Sequence, residues 1–127
     1  MTTESKKYFS PYEELIGFVP PRIKERVRLG LEVDPALFDQ VETLRLTAMN
    51  PRVFDVKTAQ LMLFGILLGQ VLPGAEFHAV AARRAGATKE ELHAVAGLAF
   101  LFRGLSAFNL GAEIINKVFG EAHAVAK

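Results

Sequence analysis

The chain is 127 residues long and 50% hydrophobic, with 15 basic against 14 acidic residues for a net charge of +1. A charge so near balance supplies no field for gripping nucleic acid, and the absence of cysteine removes disulfides, thiolate metal sites and cysteine-based peroxidase or reductase chemistry. This length suits a single domain, 1–127, able to bury roughly two-thirds of its unfolded surface.

In chain order, residues 1–10 read as a flexible lead-in with no apolar signal-peptide core. A short helical turn is expected around Pro11 to Val19, placing Leu15, Ile16 and Phe18 on the body. Pro20-Pro21 then opens a helix to about Leu31, since proline is tolerated in a first turn. Ile23, Val27 and Leu31 make its apolar stripe, and Arg22, Lys24, Arg26 and Arg28 a basic face, better read as solvated than as an anion contact.

Asp34-Pro35 is a cap followed by proline at the first helical position. The helix it starts places Leu37, Val41, Leu44 and Ala48 on one face and ends at Asn50-Pro51. Another start follows at Asp55. The helix from Val56 to about Gln70 is apolar nearly all round, which puts it in the middle of the protein or under a partner subunit. Its apolar run Leu61 to Gly69 is nine residues, against about 20 for a membrane span. No membrane partner is therefore expected, and a cytoplasmic location is.

Pro73-Gly74 breaks the chain before an alanine-rich helix, Ala75 to Ala85, with Gly86 as its left-handed stop. Thr88-Lys89-Glu90-Glu91 matches a capping box, Thr88 as cap and Glu91 reaching back. That helix directs Leu92, Val95, Ala96, Ala99 and Phe102 inward until Gly104 interrupts it. A last helix, Ser106 to Phe119, lines up Phe108, Ala112, Ile115 and Phe119 on one face and Asn109, Glu113 and Asn116 on another. No stretch has the period-two alternation of a strand. The expectation is an all-α bundle of six to seven helices.

Few residues are equipped for chemistry. His78 has Gly74, Ala75, Ala81, Ala82 and Ala85 at helical spacing, so neighbouring helices can come close and leave the imidazole partly dry. Such a ring stays neutral and serves as a base, or is a core histidine bonded to a carbonyl. Glu76 is two residues away and shares no helix face with it. Gln60 and Gln70, ten apart on the apolar central helix, either orient a substrate or satisfy loop backbone. Arg103, beside Phe100 and Phe102 at a helix break, reads as a carboxylate clamp, an intersubunit ion pair or a snorkelling surface residue. Glu90-x-x-His93 has the ligand spacing of di-iron bundles but lacks a second copy, so no metal is expected. His123, in the C-terminal tail, reads as exposed. No phosphate loop, serine elbow or nucleotide fingerprint is present.

Asp55-Val56-Lys57-Thr58 opening an apolar helix, then His78, Ala82, Ala85-Gly86-Ala87-Thr88, Glu90-Glu91-Leu92, Gly104, Ala107 and Asn109 form a pattern over residues 54–115. Across these the chain resembles the carboxymuconolactone decarboxylase family, within the wider alkylhydroperoxidase D superfamily. The peroxidase branch's two cysteines fall here on Val71 and Gly74, and its glutamate near Ala59 or Gln60, which leaves the cysteine-free branch. Ser106 stands where a proline is common, and Glu76 is off the spacing of an acidic partner.

The resemblance implies an all-α fold of the alkylhydroperoxidase D type, assembled as a homotrimer or homohexamer. It implies a lyase, without metal or organic cofactor, that removes CO₂ from a small carboxylated unsaturated lactone in the breakdown of aromatic acids. His78 would transfer the proton and Arg103 hold an anionic group, with Glu76 as a third catalytic candidate. Gln60, Gln70 and Asn109 would donate to the developing oxyanion, and Phe102 would line the substrate's place. A related isomerase or hydrolase acting on a small acid, or a non-catalytic helical assembly, are the alternatives.

Overall fold

The computed structural model describes residues 3–120, so His123 lies outside the described residues. Among the described residues the chain is all-helical, with seven helices and no strand. Among the described residues no helix is long and apolar enough to cross a membrane. The helices gather into two compact units that part between Pro51 and Arg52.

The first unit holds α1 (Thr3–Ile16), α2 (Pro21–Val33) and α3 (Pro35–Met49). Residues 3–10, expected as a flexible lead-in, instead form the first turns of α1, with Pro11 inside the helix. A proline there costs a backbone hydrogen bond. The helix persists through it because Tyr8, Phe9 and Ile16 on either side are buried. Tyr8 packs edge-on against Phe38 at 4.8 Å and donates its hydroxyl to Asp39 Oδ1 at 3.0 Å. Burial first, and that hydrogen bond second, push its phenol above the usual tyrosine range. Phe18, expected on the body, is instead 41% exposed.

The α3 start is as expected: Asp34 Oδ1 accepts from the Leu37 backbone N–H at 3.1 Å, and Pro35 follows. Its buried face is not. Leu37, Val41, Leu44 and Ala48 are exposed, while Phe38 and Glu42, one residue further round, are buried. One residue is about 100° of helix rotation. Two contacts decide it. The Phe38 ring fills the space left by Gly30 of α2, where a side chain would collide with it. The Glu42 carboxylate takes hydrogen bonds from Arg26 of α2 and from Arg45 Nε at 2.9 Å. Arg26 also donates to the Tyr12 hydroxyl at 2.7 Å, and Arg45 lies 4.7 Å over the Tyr12 ring. The basic face of α2 is therefore only partly solvated, because Arg26 is drawn in to neutralise a buried acid.

The second unit holds α4 (Val56–Leu68), α5 (Ala75–Arg84), α6 (Lys89–Arg103) and α7 (Leu105–Val118). Its helix starts follow the sequence. Asp55 Oδ1 accepts from the Thr58 N–H at 2.7 Å, and the Thr88–Glu91 capping box closes reciprocally at 3.0 and 2.9 Å. Gly86 ends α5 at φ 105, where a side chain would be strained. Lys57 ties the start of α4 to Glu91 at 3.0 Å. Phe64 and Leu68 of α4 and Leu92 of α6 are fully buried.

Two faces in this unit differ from expectation. In α7 the buried line is Ala107, Gly111, Ile114, Ile115 and Val118, while Ala112 is exposed and Phe108 only half-buried. The hinge of that rotation is Gly111: a Cβ there would stand 2.9 Å from Ala96 Cβ and 3.1 Å from Leu68 Cδ1, so α7 approaches α6 and α4 along its glycine. In α6, Leu92 and Ala96 are buried but Phe102 is 97% exposed, on the last turn before Gly104 redirects the backbone.

Candidate active site

The imidazole of His78 sits in the first half of α5, on the helix that the alanines allow close to α4. Ala75, Ala79, Ala81 and Ala82 are all buried. Such small side chains bring the two backbones near enough for a side chain of one to reach the other. His78 Nδ1 lies 2.8 Å from Gln60 Oε1, and Gln60 is only 1% exposed. A carboxamide oxygen can only accept, so in this contact Nδ1 carries the hydrogen. The ring itself is half-buried. It is therefore fixed at one nitrogen by a desolvated amide without being sealed.

The other residues singled out from the sequence are distributed differently. Glu76, half-buried, pairs with Lys117 of α7 at 3.1 Å, not with His78. Gln70 is exposed past the end of α4, where its amide N–H donates to the Ile66 carbonyl at 3.3 Å, a capping bond. Gln70, Phe102 and Arg103 share the lining of an open groove of about 740 Å³ between α4 and α6. Gly65, Gly69 and Ala99 also line it, as do Met62, Ile66 and Leu98. Asn109 is exposed on α7 and is not among the residues lining this groove.

Hence three of the residues converge on the groove and two on the α4–α5 contact, and α4 separates the two groups. At about 100° per residue, Gln60 projects roughly opposite the middle of the groove-lining positions Leu61, Met62, Gly65, Ile66 and Gly69. His78 is not among the residues that line the groove with Arg103. The turn joining α4 to α5 carries its own tension: Val71 has φ 54, unfavourable for a β-branched residue.

A second, smaller cleft of about 390 Å³ lies between α6 and α7, lined by Lys89, Glu90, His93, Ala112, Ile115 and Asn116. His93 is exposed and tilted against Phe108 at 5.4 Å. Glu91, next to the Glu90 of the Glu-x-x-His spacing, is engaged by Thr88 and Lys57. The Thr88 backbone N–H first, and Lys57 second, hold its carboxyl below the usual range. Asp55 is likewise held low by its hydrogen bonds from the Thr58 side chain and backbone. Among the described residues no three histidine, aspartate or glutamate side chains come together as a metal-ligand set.

The Gln60–His78 pair was within reach of the sequence only as two separate candidates. Comparison with protein-family models, with curated proteins and with solved structures finds no match to this chain.

Proposed function

We propose that this chain is a cofactor-independent lyase of the carboxymuconolactone decarboxylase type, acting on a small carboxylated unsaturated lactone or a related acid. The observation that supports it is the held imidazole: Nδ1 anchored 2.8 Å from a buried carboxamide, on a ring still half-accessible. In this reading the carbon–carbon bond to the carboxylate breaks and CO₂ leaves. The electron pair passes into the lactone as a dienolate. His78 takes a proton from water at Nε2 and delivers it to carbon. Gln60 sets which nitrogen does this, because its oxygen claims the Nδ1 hydrogen. A neutral amide fits a group that must both gain and give up a proton, since a carboxylate in its place would favour the imidazolium.

Self-association as a homotrimer or homohexamer belongs to the same proposal. So does the anion-holding role of Arg103, which the intervening α4 makes a task for a neighbouring copy rather than for the same chain. The test is CO₂ release from muconolactone-type acids by the full chain and by His78→Ala. Turnover by the wild type that disappears in the variant supports the reading. Equal release by both, or none by the wild type with any such acid, rejects it. A second reading, a non-catalytic helical assembly, draws on a different observation: the apolar α4–α6 groove stands apart from His78. It predicts a defined assembly that is indifferent to His78→Ala.

A further inference from the structure

We propose that the cleft between α6 and α7 is a binding site for a small zwitterion of the α-amino-acid kind, carrying a short apolar side chain. The floor of the cleft is Ala112 and Ile115. These two are the middle of the line Phe108, Ala112, Ile115 and Phe119 along α7, of which the core takes only Ile115 completely. The two rings stand at its ends, about 16 Å apart along the helix, and are half-buried. Between them the short side chain of Ala112 is exposed and leaves a hollow that a larger one would fill. At about 390 Å³ the hollow is at the lower end of the volumes of small-molecule sites.

The rim carries the charge. Lys89, Glu90 and His93 line the cleft from α6, and Asn116 lines it from α7. Two of them are backed by the rings at the ends of the floor. Lys89 Nζ lies 5.7 Å from the centre of the Phe119 ring, and the His93 ring lies 5.4 Å from that of Phe108. A cation is drawn to an aromatic face, which limits where the ammonium of Lys89 can go. Consecutive residues on a helix do not face each other, so Lys89 and Glu90 are badly placed to neutralise one another. Among the described residues neither of them forms an ion pair.

The cleft therefore offers one positive and one negative group, each without an ionic partner, around an apolar floor. A simple anion would be repelled by Glu90, and a simple cation by Lys89. A molecule bearing both signs on a small apolar body gives each group its complement. Its carboxylate lies toward Lys89 and His93, its ammonium toward Glu90, and its side chain over Ala112 and Ile115. The Asn116 amide can donate to the first or accept from the second. Neither His78 nor Gln60 lines this cleft, so the site stands or falls apart from the lyase reading.

The experiment is a nitrogen–proton correlation NMR titration of the full chain with L-alanine, L-valine and L-leucine, each to about 20 mM. At least one should give saturable shifts centred on Lys89, Glu90, His93 and Asn116. Isocaproate and isoamylamine, which are leucine without its ammonium and without its carboxylate, should bind at least about threefold more weakly than leucine, the scale of exposed ion pairs. Lys89→Gln should weaken leucine by a similar factor, and Glu90→Gln should bring isocaproate level with it. Ala112→Leu fills the hollow from an exposed position, so it should abolish the shifts while the circular dichroism stays helical. Ala112→Met gives the same readout should the helical signal fall. The proposal is overturned by the absence of saturable shifts with all three amino acids, or by shifts centred elsewhere. It is equally overturned if the singly charged analogues bind as tightly as leucine, or if a folded Ala112 variant binds at full strength.

Discussion

Deleting His78 tests the Gln60–His78 contact on stability as well as turnover, and the size of the effect follows from burial. In His78→Ala, Gln60 Oε1 loses its partner inside a side chain that is only 1% exposed. An acceptor stranded in that way costs about 1–3 kcal/mol. Truncating a half-buried ring adds up to about 1 kcal/mol of lost apolar contact. The reverse change is milder. Gln60→Leu removes the buried amide altogether, and the half-exposed imidazole can turn its Nδ1–H toward water, so a loss of about 0–1 kcal/mol is expected. Removing His78 in the Gln60→Leu background no longer strands the carboxamide oxygen, so that share of the cost disappears. The two changes should therefore be non-additive by about 1–3 kcal/mol, the double variant being more stable than the sum of the singles predicts. Urea denaturation of the four proteins followed by circular dichroism gives the cycle. Nitrogen-15 spectra of the histidine ring supply an independent readout. The wild type should show the Nδ1–H tautomer, and Gln60→Leu a shift away from it. Effects that add to within about 0.3 kcal/mol, or an unchanged tautomer, would refute the view that Gln60 holds the ring.

Three further expectations follow from the packing. Gly111→Ala should destabilise by about 1–2 kcal/mol, because the collision with Ala96 Cβ at 2.9 Å exceeds the roughly 1 kcal/mol helix-propensity gain, whereas Gly97→Ala, with nothing within 4 Å, should keep that gain; paired thermal melts decide it. Glu42→Ala should cost the first unit about 2–4 kcal/mol, the lower part of the range for a broken buried pair because Arg26 is 37% exposed and can turn to solvent. Tyrosine fluorescence reads this unit alone, since both tyrosines of the chain, Tyr8 and Tyr12, lie in α1. Asp55 and Glu91 both have carboxyls held below their ordinary values of 3.8 and 4.5, so the stability they add is present above those values and is lost as pH falls through the lower folded ones. Denaturation midpoints of the second unit should drop in that acid range, and less so in Asp55→Asn combined with Glu91→Gln; an unchanged acid limb in the double variant would count against the caps.

The punctuation of the chain was legible because it depends on neighbours in sequence. Asp34 with Pro35, Asp55, the Thr88–Glu91 box and Gly86 each act on backbone groups within a turn, and each does what its residue type implies. Helix faces were less legible, since they answer to partners that sequence spacing does not name. The α3 pattern Leu37–Val41–Leu44 is as good a stripe as a core helix has, yet Glu42 is the residue buried, because Arg26 of α2 and Arg45 of α3 itself make an acid tolerable there. Phe102 illustrates the converse. An aromatic at an inward-reading position is exposed because the helix ends beside it.

The all-round apolar character of α4 is the feature with most consequence for function, and it resolves into two demands on one helix. On one side Ala59, Gln60, Phe64 and Leu68 are buried, and Gln60 reaches His78 of α5. On the other, Met62 and Ile66 stay half-exposed along the groove shared with α6. A helix that had only to cover one core would carry polar residues on its second side. Here that side is apolar and open, and the single polar residue buried on the first side is the one that orients the imidazole. The Gln60–His78 contact and the groove therefore lie on opposite faces of the same helix, so a change such as Ile66→Asp alters the groove without entering that contact.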